Sequence, residues 1–361
     1  MYVFSVSLLI CDHLFCKMKQ VHLGDKLIGD GNPCYIVAEI GGLFKDIDEA
    51  KKLLNSAKEI GVDAVKFQSL EADTITTKKN LFDMEVTGDI SQYDFFKQFE
   101  PSKELQKQVV EYANKIDIQI FSAPSHMKDL EIMKEMKLPI FKIGSDLACH
   151  IPLLIEVAKL NKPIILSTGM CTMDEVRDSV NAILSTGNEK LVLLHCVSDY
   201  PAKAEESNLK AILEMKKEFN LPVGFSDHTI GTDITFASVV MGANVVERHF
   251  RDVTNNPAPD DVHALTKEEF LQLINSIRTF EKAKGTGKKD PTPSEQHNLS
   301  SNRVSIIVMK DIPKGSVLTK EMLDIRRPGI GLSPKHYDEI LGKKTSQDIS
   351  SETPLTWNLI E

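Results

Sequence analysis

Eight short apolar runs, each followed by a polar or amphipathic stretch, organise the chain from residue 35 to residue 283. The runs are "YIVAE" (35–39), "AVKFQ" (64–68), "IQIFSA" (118–123), "IFKIGS" (140–145), "IILSTG" (164–169), "LVLLHC" (191–196), "PVGFSD" (222–227) and "NVVERHF" (244–250). Their length and β-branched content are those of buried strands. Between the first two, "DIDEAKKLLNSAKEIG" (46–61) sets Ile47, Ala50, Leu53, Leu54, Ala57 and Ile60 at three- and four-residue steps on one helical face. Similar helical patterns fill 102–115, 172–184 and 266–283, the last opening with a capping threonine and acids in its first turn. Strands alternating with single helices specify a parallel sheet, and eight such units over roughly 250 residues specify a closed (β/α)8 TIM barrel rather than an open doubly wound sheet. No G-x-G-x-x-G follows the first run, so a dinucleotide-binding fold lacks its signature.

The barrel is expected over 18–283. Residues 1–17 read as an extension, disordered or upstream of a start at Met18. Residues 71–102, which carry Phe82, Tyr93, Phe95, Phe96 and Phe99, make an unusually long excursion after the second run, either a lid or a static cover. A Gly-, Pro-, Lys- and Ser-rich linker is expected over 284–302. Residues 303–361 then form a second, small β-rich domain.

Composition narrows the class of function. The chain has 361 residues, 42% of them apolar, and a net charge of −9 without a long basic run, which argues against nucleic acid as a partner and leaves room for a local cationic pocket. The apolar stretch at 2–15 is too short to cross a bilayer and lacks the flanks of a signal peptide. Six cysteines without a C-x-x-C pair fit reduced thiols in a cytoplasmic protein.

Catalytic groups of such a barrel sit where its strands end. Here those ends carry Glu39, Lys66 with Gln68, Ser122, Lys142 with Ser145, Ser167 with Thr168, Ser198, Ser226 with His228, and Glu247 with His249. Any one of them could be a capped turn or a surface charge. Together, two lysines and several hydroxyls are equipment for an anion with several oxygens, such as a phosphate ester bearing a carboxylate. His228 and His249 lie at the same phase of successive strands; they are either hydrogen-bonded structural residues or two neutral imidazoles holding a divalent ion in an open site.

In this order, "VAEIG", "AVKFQ", "FKIGS", "KPIILSTGM", "LLHCVSDYP", "GFSDHT" and "ERHF" with "PAPD" (257–260) resemble the N-acetylneuraminate (sialic acid) synthase family, and "DIRRPGIGLSP" with "ILGKK" is similar to its antifreeze-like SAF domain. The resemblance runs from about residue 20 to the end of the chain. It implies a transferase that condenses phosphoenolpyruvate with an N-acetylmannosamine-type amino sugar, giving a nine-carbon 2-keto acid and phosphate by C–O cleavage. Carried over by motif, His228 and His249 would hold manganese or magnesium. Lys66, Lys142, Ser145, Ser167, Ser198 and Ser226 would hold the phosphoenolpyruvate, and Gln68, Tyr200 and Asp260 would contact the sugar. Glu39 would stand near the reacting atoms, and Arg327 would reach into a neighbouring subunit of a domain-swapped homodimer.

Departures from the family pattern fall at "GLFKD" (42–46), at Asp146-Leu147 and at Ala123. They leave open a diacetamido-trideoxy acceptor of the legionaminic or pseudaminic type, or a phosphorylated mannosamine. A metal-dependent aldolase or hydrolase on the same barrel is the rival enzyme class. A non-catalytic sugar- or ice-binding role rests on the tail's similarity alone.

Overall fold

The structure, a computed structural model, describes residues 18–41, 44–82, 90–251 and 262–361. The expectations for residues 1–17, for Gly42 and Leu43 and for Asp260 fall outside these. The chain divides into two compact units, Met1–Lys284 and Gly285–Glu361.

The first unit opens with an antiparallel hairpin, β1 (Val21–Leu23) and β2 (Lys26–Ile28), that the apolar pattern did not announce. The eight expected strands follow: β3 (Tyr35–Glu39), β4 (Ala64–Ser69), β5 (Ile120–Pro124), β6 (Phe141–Ile143), β7 (Ile164–Ser167), β8 (Leu191–Cys196), β9 (Val223–Asp227) and β10 (Val245–His249). They pair in parallel in sequence order, and β10 closes the barrel on β3 with Val245 opposite Tyr35 and His249 opposite Glu39. Helices over Ile47–Ile60, Lys103–Lys115, Met173–Leu184 and Lys267–Ala283 match the four amphipathic patterns. Reciprocal capping boxes start the last two, Thr172 with Glu175 and Thr266 with Glu269, so each start has two of its free N–H groups satisfied.

The strand period of two sorts the side chains into two cores. Ile36, Val65, Phe67, Phe141, Ile143, Leu166, Leu193, Phe225 and Val246 join the cluster between strands and helices. Tyr35, Val37, Ala64, Phe121, Ile140, Ile165, Val192, Leu194 and Val245 join a smaller cluster inside the barrel, together with Val21, Leu23 and Ile28 of the hairpin. The hairpin therefore seals the amino end of the barrel. Gly224 is required within this inner layer, because a Cβ there would stand 2.2 Å from the Val245 carbonyl oxygen and 2.6 Å from the Leu194 side chain.

The excursion at 71–102 contains short helices over Ala72–Ile75 and Gln92–Phe99, and Phe82, Phe95, Phe96 and Phe99 form an aromatic cluster with ring centroids 5.1–5.7 Å apart. In the second unit, β11 (Ser305–Val308) pairs antiparallel with β12 (Leu323–Arg326) over a core that includes Ile306, Val308, Leu318, Leu323, Ile340 and Leu355. The stretch read as a linker is partly ordered: a short helix covers Gln296–Ser301, and the Ser300 carbonyl accepts the Gly329 N–H at 2.7 Å. No helix among the described residues is long and apolar enough to cross a membrane.

Candidate active site

The period that points Val37, Ala64, Ile140, Ile165 and Val245 into the barrel floor points Glu39, Lys66, Lys142, Ser167 and Glu247 to the same side two residues later. Apolar residues fill the amino end of the interior and polar ones its carboxyl end, where catalytic groups of this fold collect. Ser122 has the opposite phase. It bonds to Ser69 Oγ at 2.8 Å and to the Phe67 carbonyl at 3.2 Å on the helix side, so it is a packing residue and not part of the pocket.

Lys66 and Lys142 are both buried and share one carboxylate. Glu247 Oε1 lies 3.0 Å from Lys66 Nζ, 3.4 Å from Lys142 Nζ and 3.2 Å from Ser226 Oγ. Lys66 also meets Glu39 Oε2 at 2.8 Å. Glu39 is held in turn by the Gly41 N–H at 2.6 Å and by Gln68 Nε2 at 3.4 Å. Two ammonium groups and two carboxylates thus balance within the pocket. Burial pushes Lys66 down to about 8, against the pull of Glu247, with Lys142 pushing further down. Burial raises the Glu247 carboxyl, but Lys142 and Lys66 outweigh it and bring it down to about 2. Glu247 is the central residue that the strand-end inventory noted without assigning it a task.

Beside the lysines lie the serines. Ser145 Oγ accepts the Gly169 N–H at 3.0 Å. Ser167 Oγ and Ser198 Oγ are buried without a hydrogen-bond partner among the described residues. Gly169 sits between them: a Cβ there would stand 2.3 Å from Ser198 Oγ and 2.8 Å from Ser145 Oγ. Unpaired buried hydroxyls are costly unless a ligand uses them. They fit an oxyanion bound next to the lysines.

His228 and His249 converge, their ring centroids 5.5 Å apart. His228 Nδ1 faces the Val197 carbonyl at 2.8 Å; since a carbonyl only accepts, Nδ1 carries the proton, and in the neutral ring Nε2 is the nitrogen with the lone pair. Burial, with His263 and His228 nearby, holds His249 well below the usual imidazole range, so its ring is neutral. Burial also opposes protonation of His228, but Cys196 and the Val197 carbonyl raise it. Two imidazoles so arranged fit a divalent ion whose remaining positions stay open. Among the described residues no group of three or more His, Cys, Asp or Glu is disposed to hold a metal ion.

The Tyr200 ring stacks on His228 with centroids 4.2 Å apart. His263, which the sequence reading missed, adds a third imidazole 4.7 Å from the His249 ring and 5.4 Å from Tyr200, its basicity lowered to about 3, first by burial and then by His228 and Arg248. Behind the pair, Asp227 and Arg248 form a fully buried ion pair at 2.8 Å. Arg327 belongs to the second unit, where its Nη1 meets Asn302 Oδ1 at 3.4 Å. Asp146 and Leu147 form a 3-10 turn after β6 and Ala123 is buried in β5, where the sequence departs from the family pattern.

A TIM barrel with a lysine- and serine-lined anion pocket beside a histidine pair defines a class of enzyme acting on oxygen-rich anions. The sequence model of the NeuB family matches residues 53–289, and that of the SAF domain matches 303–361. The chain belongs to the NeuB family, and it is an enzyme, a transferase of the acid-synthase type. It is 39% identical to an uncharacterized protein of Methanocaldococcus jannaschii over 94% of this chain and 98% of that one. It is 38% identical to an N,N'-diacetyllegionaminic acid synthase of Campylobacter jejuni over 88% of this chain and 97% of the relative. A crystal structure of the N-acetylneuraminic acid (sialic acid) synthetase of Leptospira borgpetersenii in complex with citrate superposes with a TM-score of 0.68 at 29% identity, covering 78% of this chain and 95% of that one.

Proposed function

We propose that this enzyme condenses phosphoenolpyruvate with an N-acetylated amino sugar, forming a nine-carbon 2-keto acid and phosphate, and that its acceptor is a diacetamido-trideoxy hexose of the legionaminic type. The observation that carries the reaction is the convergence of Lys66, Lys142, Ser145, Ser167, Ser198 and Ser226 on one pocket beside His228 and His249. The named relative from Campylobacter jejuni supports the acceptor over plain N-acetylmannosamine.

In this reading Lys66 and Lys142 bind the phosphate and carboxylate of the donor, and the serine hydroxyls fix its orientation. Its enol carbon faces the sugar aldehyde and attacks it. Water adds to the electron-poor second carbon, and phosphate leaves with the bridging oxygen. Glu39, held by Gly41, Gln68 and Lys66, is the base placed to take the water's proton. Manganese or magnesium bound by His228 and His249 would supply Lewis-acid polarisation of the aldehyde oxygen. Gln68 and Tyr200 line the acceptor side, with Asp260 assigned there by motif. Arg327 of the partner subunit in a swapped homodimer completes it. Synthesis in the cytoplasm belongs to the same reading.

The test mixes purified protein with phosphoenolpyruvate, manganese and a panel of amino sugars while released phosphate and 2-keto acid are followed. Fastest turnover is expected with the diacetamido-trideoxy sugar, and oxygen-18 in the bridging position is expected in the phosphate. Absence of phosphate release with every acceptor would overturn the synthase reading. Turnover independent of phosphoenolpyruvate would favour the aldolase or hydrolase class instead.

A further inference from the structure

Four cysteines lie among the described residues, and their settings differ. Cys34 and Cys196 are buried, whereas Cys149 is exposed and Cys171 half-buried. Cys149 follows β6 and the turn over Ser145–Leu147; Cys171 follows β7 and Gly169. Although 22 positions apart in the sequence, the two Sγ atoms stand 3.7 Å from each other, one thiol able to donate to the other. The same two loops are joined closer to the pocket by the Gly169 N–H bond to Ser145 Oγ at 3.0 Å. Neither thiol takes part in the proposed reaction.

We propose that Cys149 and Cys171 are a modification site: a reversible dithiol that hydrogen peroxide closes into a disulfide, clamping the two loops that carry Ser145 and Gly169. A disulfide brings its sulfurs to about 2.05 Å, so closure requires an approach of about 1.7 Å. Exposure makes Cys149 the thiol that peroxide reaches. Burial, then the hydrogen bond and charge of Cys149, push Cys171 up to about 12, so it keeps its proton while Cys149 reacts.

The step balances. The Cys149 thiolate attacks one peroxide oxygen, the O–O bond breaks, and hydroxide leaves, giving a sulfenic acid. Cys171 sulfur then attacks Cys149 sulfur; the S–O bond breaks, the S–S bond forms, and the oxygen leaves as water with the proton from Cys171. Two electrons pass from the sulfurs to peroxide, and an external dithiol returns them. Because Gly169 has Ser145 and Ser198 against it with no room for a Cβ, pulling Cys171 toward Cys149 displaces hydroxyls at the anion pocket. That consequence rests on the donor-binding reading above; the covalent chemistry does not.

Trypsin separates the pair, leaving one cysteine in peptide 143–159 and the other in peptide 160–177. After peroxide treatment and blocking of free thiols, mass spectrometry is expected to find these peptides joined, two hydrogens lighter than their sum, and released by dithiothreitol. Cys149→Ser is expected to abolish the cross-link and leave Cys171 alkylatable. Wild-type kcat/KM for phosphoenolpyruvate is expected to fall about ten- to a hundredfold on oxidation, as an ångström-scale misplacement of binding groups would cause, with Cys149→Ser and Cys171→Ser both resistant. Two thiols that remain alkylatable, or that end as separate sulfinic acids, overturn the site. A cross-link that leaves kcat/KM unchanged overturns the clamp. A reduced protein inactive with every acceptor would count against the proposed reaction, while the peptide masses still decide the disulfide.

Discussion

Asp227 and Arg248 meet at 2.8 Å across β9 and β10, both side chains wholly removed from solvent, one residue before His228 and His249 respectively. They are register partners in the barrel. Arg248 Nη2 also donates to the carbonyls of Thr229 at 2.8 Å and His263 at 2.9 Å. Asp227 accepts the Thr229 N–H at 2.8 Å and the Thr235 hydroxyl. The pair faces the helix layer while the histidines face the interior, so it fastens from behind the backbone from which both imidazoles project.

Arg248→Met leaves the Asp227 carboxylate buried without its counter-charge, which costs about 3–5 kcal/mol. Urea unfolding measures this directly. Adding Asp227→Asn to Arg248→Met is expected to recover part of the loss, since the unpaired charge is gone. A single replacement within about 0.5 kcal/mol of wild type, the range of an ordinary surface substitution, contradicts the role assigned here.

Glu247→Gln removes the carboxylate that Lys66 and Lys142 share. The ligand-free protein is expected to lose about 3 kcal/mol. Inorganic phosphate should then raise the melting temperature of the variant more than that of wild type, because in wild type the anion must first displace Glu247. Equal rises in both proteins would show that the carboxylate and the anion do not compete.

The depressed Lys66 sets a pH limit on donor capture. Below about 8 its amine is charged in the free enzyme; above that value it is neutral and binds an anion poorly. Since kcat/KM reports the free enzyme, that parameter for phosphoenolpyruvate should fall about tenfold per pH unit on the alkaline side. For stability the sign is opposite: a lysine with a lowered folded value makes the unfolded chain the stronger proton binder between about 8 and the ordinary lysine range, so folding stability rises with pH there. A kcat/KM profile flat to pH 10 would remove Lys66 as the donor's cation.

His228→Ala is expected to weaken manganese binding at least about tenfold, read by calorimetry in the absence of substrates, and to lower turnover with it. Unchanged affinity would take His228 off the ligand pair. Phe225→Leu, which alters the helix-side core three positions earlier, serves as the control for general damage to the strand.

Much of this architecture was legible in the sequence because a (β/α)8 barrel announces itself through two periods at once. The runs at 64–68 and 244–250 show why: Lys66 and Glu247 each interrupt an apolar strand at an inward position, and no packing role explains a charge there. Their partnership was not legible, since 181 positions separate them and only barrel closure brings β10 beside β3, one strand away from β4. The hairpin over Val21–Ile28 was missed because three-residue strands are too short to display alternation. Ser122 looked like a pocket hydroxyl until its phase within β5 set it with Ser69 and Gln106 behind the sheet. His263 carried no signal at all: it sits in no apolar run, and its ring meets that of His249 only through the fold.

The lysines of the resting pocket already hold a guest of their own, a carboxylate attached to the barrel wall. Tethering gives it an effective concentration that dissolved chloride or acetate would have to overcome at every encounter. In the proposed reaction, a visitor that evicts it has to present several oxygens at once, with enough reach to occupy the serine side as well. On that reading the pocket screens newcomers by how many contacts they make together, before any chemistry begins.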